Sequence, residues 1–124
     1  MGHVVVDDVR VVYDPDGENR VLATTVETAD SLIARTRGLM FRRSLPDEYA
    51  LAFRFSRARP RDIHMLFVFV PLDVVWVVDG VIERVERLRP WTGFARANAD
   101  LILEFPAGST RGVEPGTRLV LEDE

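Results

Sequence analysis

Two apolar runs set nearly end to end constrain this chain more than anything else in it. Ile63 to Val70 is apolar at every position but His64, and Leu72 to Val78 at every position but Asp73. Runs this short, unbroken and rich in β-branched residues read as strands covered on two sides. They predict the centre of the core, folded back on itself in a tight hairpin at Val70-Pro71.

The surrounding pattern is that of a β protein. Val9–Tyr13 and Arg20–Val26 flank the turn sequence Asp14-Pro15-Asp16-Gly17, which predicts an N-terminal hairpin. Leu51, Phe53 and Phe55 alternate with Ala52 and Arg54, a strand with one buried face, and Ser56 to Asp62 reads as an arginine-rich loop. Asp79-Gly80 between Val77-Val78 and Val81-Ile82 is a strong hairpin signal, because a type I′ turn needs positive φ at both central residues. Pro90 to Ala99 reads as a loop; Leu101–Phe105 and Thr117–Leu121 read as further strands. Thr28 or Asp30 can cap a helix over 31–37 that stops at Gly38, and a short helical turn is expected after Pro106-Ala107-Gly108. The predicted fold is mainly β (β-rich α+β): a small barrel or barrel-like sandwich of about eight short strands with one or two short helices. A chain of 124 residues fits one domain over 1–124, with enough surface buried for a single core.

Composition removes several chemistries. There is no cysteine, so disulfides, zinc–thiolate sites and cysteine nucleophiles are excluded. With only His3 and His64, neither a histidine metal site nor a histidine relay is expected; no metal and no cofactor are predicted. No apolar run is long enough to span a bilayer, and the N-terminus lacks the features of a signal peptide, so no membrane partner and a cytoplasmic location are expected. All sixteen basic residues are arginine, and twenty carboxylates leave a formal charge of −4. That balance fits a GC-rich genome combined with a halophilic surface, and it argues against nucleic-acid binding, which needs local positive charge.

A few residues carry candidate chemistry. His64 stands alone among apolar neighbours; its plainer reading is a hydrogen-bonded core or rim residue, its sharper one a ligand-binding group. Asp73 shares a strand face with Val75 and Val77, so it needs a partner or a raised pKa. Arg37, Arg54 and Arg61 are the candidate partners, and the alternative is an acid, base or ligand anchor in a pocket. In the expected hairpin His64 and Asp73 lie four positions apart, roughly 13 Å along the ribbon, which excludes a dyad. Arg54, Arg57, Arg59 and Arg61 read as a solvated loop or an anion site. Trp91 and Phe94 read either as a lid folded over the end of a barrel or as a surface that stacks on a sugar or a base.

Three motifs, Arg37-Gly38-Leu39-Met40-Phe41-Arg42 with Leu45-Pro46 after it, Pro71-Leu72-Asp73, and Leu103 to Gly108, resemble those of the domain-of-unknown-function 192 family of small, mainly β proteins from bacteria and archaea. The resemblance covers about 21–121, with 1–20 as an N-terminal extension. Relatives usually carry Phe-Trp-Met-Lys-Asn-Thr before the Pro-Leu-Asp, where this chain has Ile63-His64-Met65-Leu66-Phe67-Val68 and keeps only Met65. The resemblance therefore implies that a polar site lined by that lysine and asparagine is altered or absent here. It implies no reaction.

These readings together predict a non-enzymatic binding or accessory domain for a polar small molecule, with Arg37, His64, Asp73, Trp91 and Glu104 as ligand-binding candidates. The alternatives are a carboxylate-dependent hydrolase using Asp73 or Glu104, and a structural or protein-interaction module, whose sign would be an exposed apolar patch.

Overall fold

The computed structural model describes residues 4–29 and 38–123. Nine strands are described: β1 (Val4–Asp7), β2 (Val9–Asp14), β3 (Arg20–Ala23), β4 (Thr25–Ala29), β5 (Tyr49–His64), β6 (Leu72–Val78), β7 (Val81–Leu88), β8 (Phe94–Pro106) and β9 (Arg118–Asp123). They form one sheet in the order β1-β4-β5-β8-β6-β7-β9-β2-β3. All pairings are antiparallel except β4 with β5.

The chain is mainly β, as predicted, but the sheet does not close into a barrel: β1 and β3 remain its edges. It coils instead, far enough to bring β2 against β4. Long strands and bulges favour this, since each bulge sharpens the local twist. Register shifts interrupt β5 between Arg54 and Arg59, β6 between Trp76 and Val77, and β2 between Val11 and Val12.

Alternate residues of the central strands feed two cores. Ala50, Ala52, Val75, Val77, Leu103 and Phe105 face inward, where β2 and β3 contribute Val11, Leu22 and Ala23. Leu51, Phe53, Val74, Trp76 and Ile102 face outward and are covered by Leu39, Met65 and Val68 from two connecting segments. A central strand covered on both sides needs no polar face, which is why Leu72–Val78 carries an almost unbroken apolar run.

The predicted hairpin at Val70-Pro71 is not formed. The strand through Ile63 ends at His64, and β6 pairs with β7 and β8 instead. Phe67 adopts φ 62° and Val68 N–H closes a turn on Met65 O at 3.0 Å, so the apolar run after His64 is a covering loop. Residues Ser56–Asp62 belong to β5, not to a loop; among the described residues this half of the strand pairs only with β8, and an edge position tolerates Pro60 and the exposed arginines. Likewise Phe94–Ala99 opens β8.

Two turn predictions hold. The 3-10 turn Pro15–Gly17 joins β2 to β3, and Asp79 and Gly80 both have positive φ, 50° and 77°, in the β6–β7 turn. The expected helix over 31–37 lies outside the described residues. After Pro106 there is no helix but a series of turns, with Ser109 N–H on Pro106 O at 3.1 Å and Val113 N–H on Thr110 O at 3.0 Å. Among the described residues no helix is long and apolar enough to cross a membrane.

Candidate functional site

Asp73 is 1% exposed and fully engaged. Its Oδ1 accepts from Arg87 Nε at 2.9 Å; its Oδ2 accepts from Gly108 N–H at 2.9 Å, Thr110 N–H at 3.1 Å and the Thr110 hydroxyl at 2.8 Å. Burial alone pushes its pKa up, but the bonds from Arg87, Thr110 and Gly108 outweigh it and hold the carboxyl below its ordinary value. Among the described residues the arginine partner is thus Arg87, directly opposite Asp73 in the β6–β7 register, and not Arg54 or Arg61; Arg37 lies outside the described residues. Asp73 ties Pro71-Leu72-Asp73 to Pro106-Ala107-Gly108 and caps the turns after β8, where Gly108 has φ 101°. All four of its hydrogen bonds go to the protein, three of them on Oδ2.

Glu104 lies on the opposite face. The pairings Glu27↔Leu51, Leu51↔Glu104 and Glu104↔Val74 set one row across β4, β5, β8 and β6, on the outward side. Glu104 is 5% exposed, its Oε1 has no hydrogen-bond partner among the described residues, and burial raises its pKa to about 7. Gly38 (φ 51°) sits over it: a Cβ there would meet Glu104 Oε1 at 3.6 Å and Phe53 Cζ at 3.5 Å. Nearby, Arg42 reaches Glu27 at 3.3 Å and lies 5.7 Å over the Tyr49 ring. Burial, and then the Glu27 carboxylate, raise the pKa of Tyr49; the contact with Glu27 falls outside hydrogen-bond geometry, leaving the Tyr49 hydroxyl an unpartnered donor. This is a buried acid near neutrality, closed over by the segment that opens with Gly38.

His64 and Trp91 meet elsewhere, at one end of the sheet. Three connections are stitched together there by backbone bonds: Met65 N–H to Gly93 O at 3.0 Å, Trp91 N–H to Met65 O at 2.9 Å, and Phe41 N–H to Phe67 O at 2.8 Å. Gly93 makes the closest approach possible, because a Cβ would stand 2.7 Å from Arg89 O. The loops present a cluster of rings. Phe41 and Phe67 lie 5.4 Å apart, Phe67 and Trp91 5.2 Å, and Phe69 and Trp91 5.7 Å, with the Arg43 guanidinium 5.4 Å over Phe69. His64 is exposed at the rim, opposite Phe94 in the β5–β8 register, and its Nδ1 accepts from Leu66 N–H at 3.2 Å.

Of the seven large apolar residues exposed among the described ones, five belong to this end: Phe41 (52%), Leu66 (52%), Phe67 (44%), Trp91 (46%) and Phe94 (61%). Phe41, Phe67 and Trp91 also hold left-handed backbone conformations, φ 68°, 62° and 68°. Bulky residues avoid that region, at a cost of about 1 kcal/mol or more each, and such strain concentrates at functional sites.

The five candidates therefore separate: Asp73 and Glu104 on opposite faces, His64 and Trp91 together at the aromatic platform, and Arg37 outside the described residues. Sequence reasoning missed Phe41, Phe67 and Phe69. Their signal was present as an aromatic in each connection, but the run Ile63–Val70 read as a strand. Two open depressions involve none of the five. One, of about 430 Å³, is lined by Arg54, Val77, Asp79, Asp100, Leu101 and Leu119 among others; the second, of about 230 Å³, lies among Leu45, Val70, Pro71, Pro106 and Ala107. No group of metal-ligating side chains occurs among the described residues.

Known proteins share this fold. A candidate transcription regulator from Sinorhizobium meliloti superposes with a TM-score of 0.81 at 28% identity, covering 94% of this chain and 96% of that one. A protein of unknown function from Novosphingobium aromaticivorans superposes with a TM-score of 0.76 at 22% identity, over 94% and 84% of the two chains. The UPF0127 protein PH1112 of Pyrococcus horikoshii is 32% identical over 94 residues, 73% of this chain and 79% of its own length. Residues 12–121 match the DUF192 family, described as an uncharacterized ACR, and the motifs at Gly38, Asp73 and Gly108 lie within that span. The chain belongs to the DUF192 family.

Proposed function

We propose that this chain is a non-enzymatic accessory domain that binds through the aromatic platform formed by Phe41, Phe67, Phe69 and Trp91. One observation supports this reading: three exposed aromatic residues, packed in series through Phe67, each hold a left-handed conformation that bulky side chains avoid. Aromatic rings with arginine at the rim are the composition of binding hot spots. The reading is preferred to the carboxylate-dependent hydrolase because Asp73 is bonded to the turn after β8 and Gly38 packs over Glu104.

The test is binding of anilinonaphthalene sulfonate, a flat anionic aromatic probe, to the native protein. Its fluorescence should rise on mixing, and the double variant Phe67→Asn/Trp91→Asn should abolish that rise with Tm unchanged, because asparagine tolerates positive φ. No rise, or a rise the variant leaves intact, contradicts the reading.

A further inference from the structure

The loops of the platform are set apart by charge as well as by apolarity. Residues 38–46, 65–71 and 89–94 contain Arg42, Arg43 and Arg89 and not one carboxylate, in a chain whose net charge is −4. Asp47 and Glu48 follow the first of these loops, where it leads into β5. Arg42 is paired with Glu27, and Asp62 beside the platform is paired with Arg96 at 3.4 Å. Among the described residues Arg43 and Arg89 pair with no carboxylate, and Arg43 lies against the Phe69 ring. An acidic protein thus has one end that is cationic and ringed with exposed Phe, Leu and Trp.

We infer that this end docks on the surface of a bilayer containing anionic lipid. The inference rests on the platform being a binding surface, and it names the partner. Trp and Phe favour the headgroup level of a bilayer, where an apolar ring meets a wet boundary, and arginines outside it are drawn to anionic headgroups. Phe41, Leu66, Phe67, Trp91 and Phe94 supply the first contact; Arg43 and Arg89 supply the second. A surface contact needs no spanning segment, so it is compatible with the absence of one. Because a few inserted side chains and two cations are a modest anchor, the attachment is reversible and weakens with salt.

The experiment is sedimentation of the full chain with phosphatidylcholine vesicles in which one lipid in three is phosphatidylglycerol, read together with tryptophan emission. Trp76 is buried with its indole N–H on Arg61 O at 3.1 Å and gives a constant background, so a shift to shorter wavelength reports Trp91. The account expects sedimentation with the anionic vesicles, the emission shift, and loss of both in Phe67→Asn/Trp91→Asn. Arg43→Gln/Arg89→Gln should weaken binding roughly tenfold or more, since each cation near an anionic surface contributes favourably. Absence of binding, equal binding to pure phosphatidylcholine, or indifference to both variants overturns it. So does a dimer whose formation alone shields Trp91, which would assign the platform to a second copy of the chain. If the aromatic dye binds and the vesicles do not, the binding surface stands and the bilayer is excluded.

Discussion

Two buried carboxyls, Asp73 and Glu104, are shifted in opposite directions by their surroundings. Asp73 is held below its ordinary value of 3.8, so its contribution is present above that value and is lost as pH falls through its folded pKa. Glu104 is raised from 4.5 to about 7, so the native state holds a proton that the unfolded chain releases. Its contribution is full below about 4.5 and falls as pH rises toward 7, by about 3 kcal/mol in all. Glu104→Gln should flatten this alkaline limb and make the protein more stable than the parent at pH 8 by a similar amount, as urea unfolding across pH would show. A limb that persists in Glu104→Gln would place the titrating group elsewhere. At Asp73 the bonds to the turn matter more than the ion pair, because Arg87 is largely exposed. Asp73→Ala should therefore cost roughly 3 kcal/mol, for it leaves the Gly108 and Thr110 N–H groups without their acceptor. Arg87→Ala should cost much less in the same denaturation series.

The connections between strands carry the features that the sequence concealed. Gly93 lies within 3 Å of Arg89 and Leu88 atoms once a Cβ is added, so Gly93→Ala must push the 89–94 loop away from Met65. It should lower stability by about 2 kcal/mol and break the stitching that holds Trp91, visible as a changed near-ultraviolet circular dichroism spectrum. An unaltered spectrum and Tm would show that the loop tolerates the shift. Hairpins such as Asp79-Gly80 were legible because a turn type demands specific residues at specific places. The loop after His64 was not, because its residues are as apolar as a strand: Met65 and Val68 cover the outer core while Leu66 and Phe67 point to solvent. Periodicity cannot tell a loop that covers a core from a strand inside one. The arginine-rich half of β5 failed in the other direction, since an edge strand may look like a loop. The partner of Asp73 was hidden for a simpler reason: the register set by the Asp79-Gly80 turn would place Glu86 opposite Asp73, and only the one-residue shift between Trp76 and Val77 brings Arg87 there.

At the scale of the molecule, the sheet keeps the buried carboxyls apart from the exposed rings. Its two faces are filled by the inner and outer cores, and the motifs around Gly38, Asp73 and Gly108 fasten turns to strands. The stretch that departs from the family's usual pattern, Ile63 to Val68, is the stretch that ends β5 and supplies Leu66 and Phe67 to the platform. If those rings serve binding, removing them and the strain they carry should not harm the fold. The most direct measurement is the urea-unfolding free energy of Phe67→Gly/Trp91→Gly, since glycine adopts positive φ without cost. The account predicts a protein at least as stable as the parent. A loss of about 3 kcal/mol or more for each ring, the usual cost of truncating a core aromatic, would show that the platform is part of the core and contradict it.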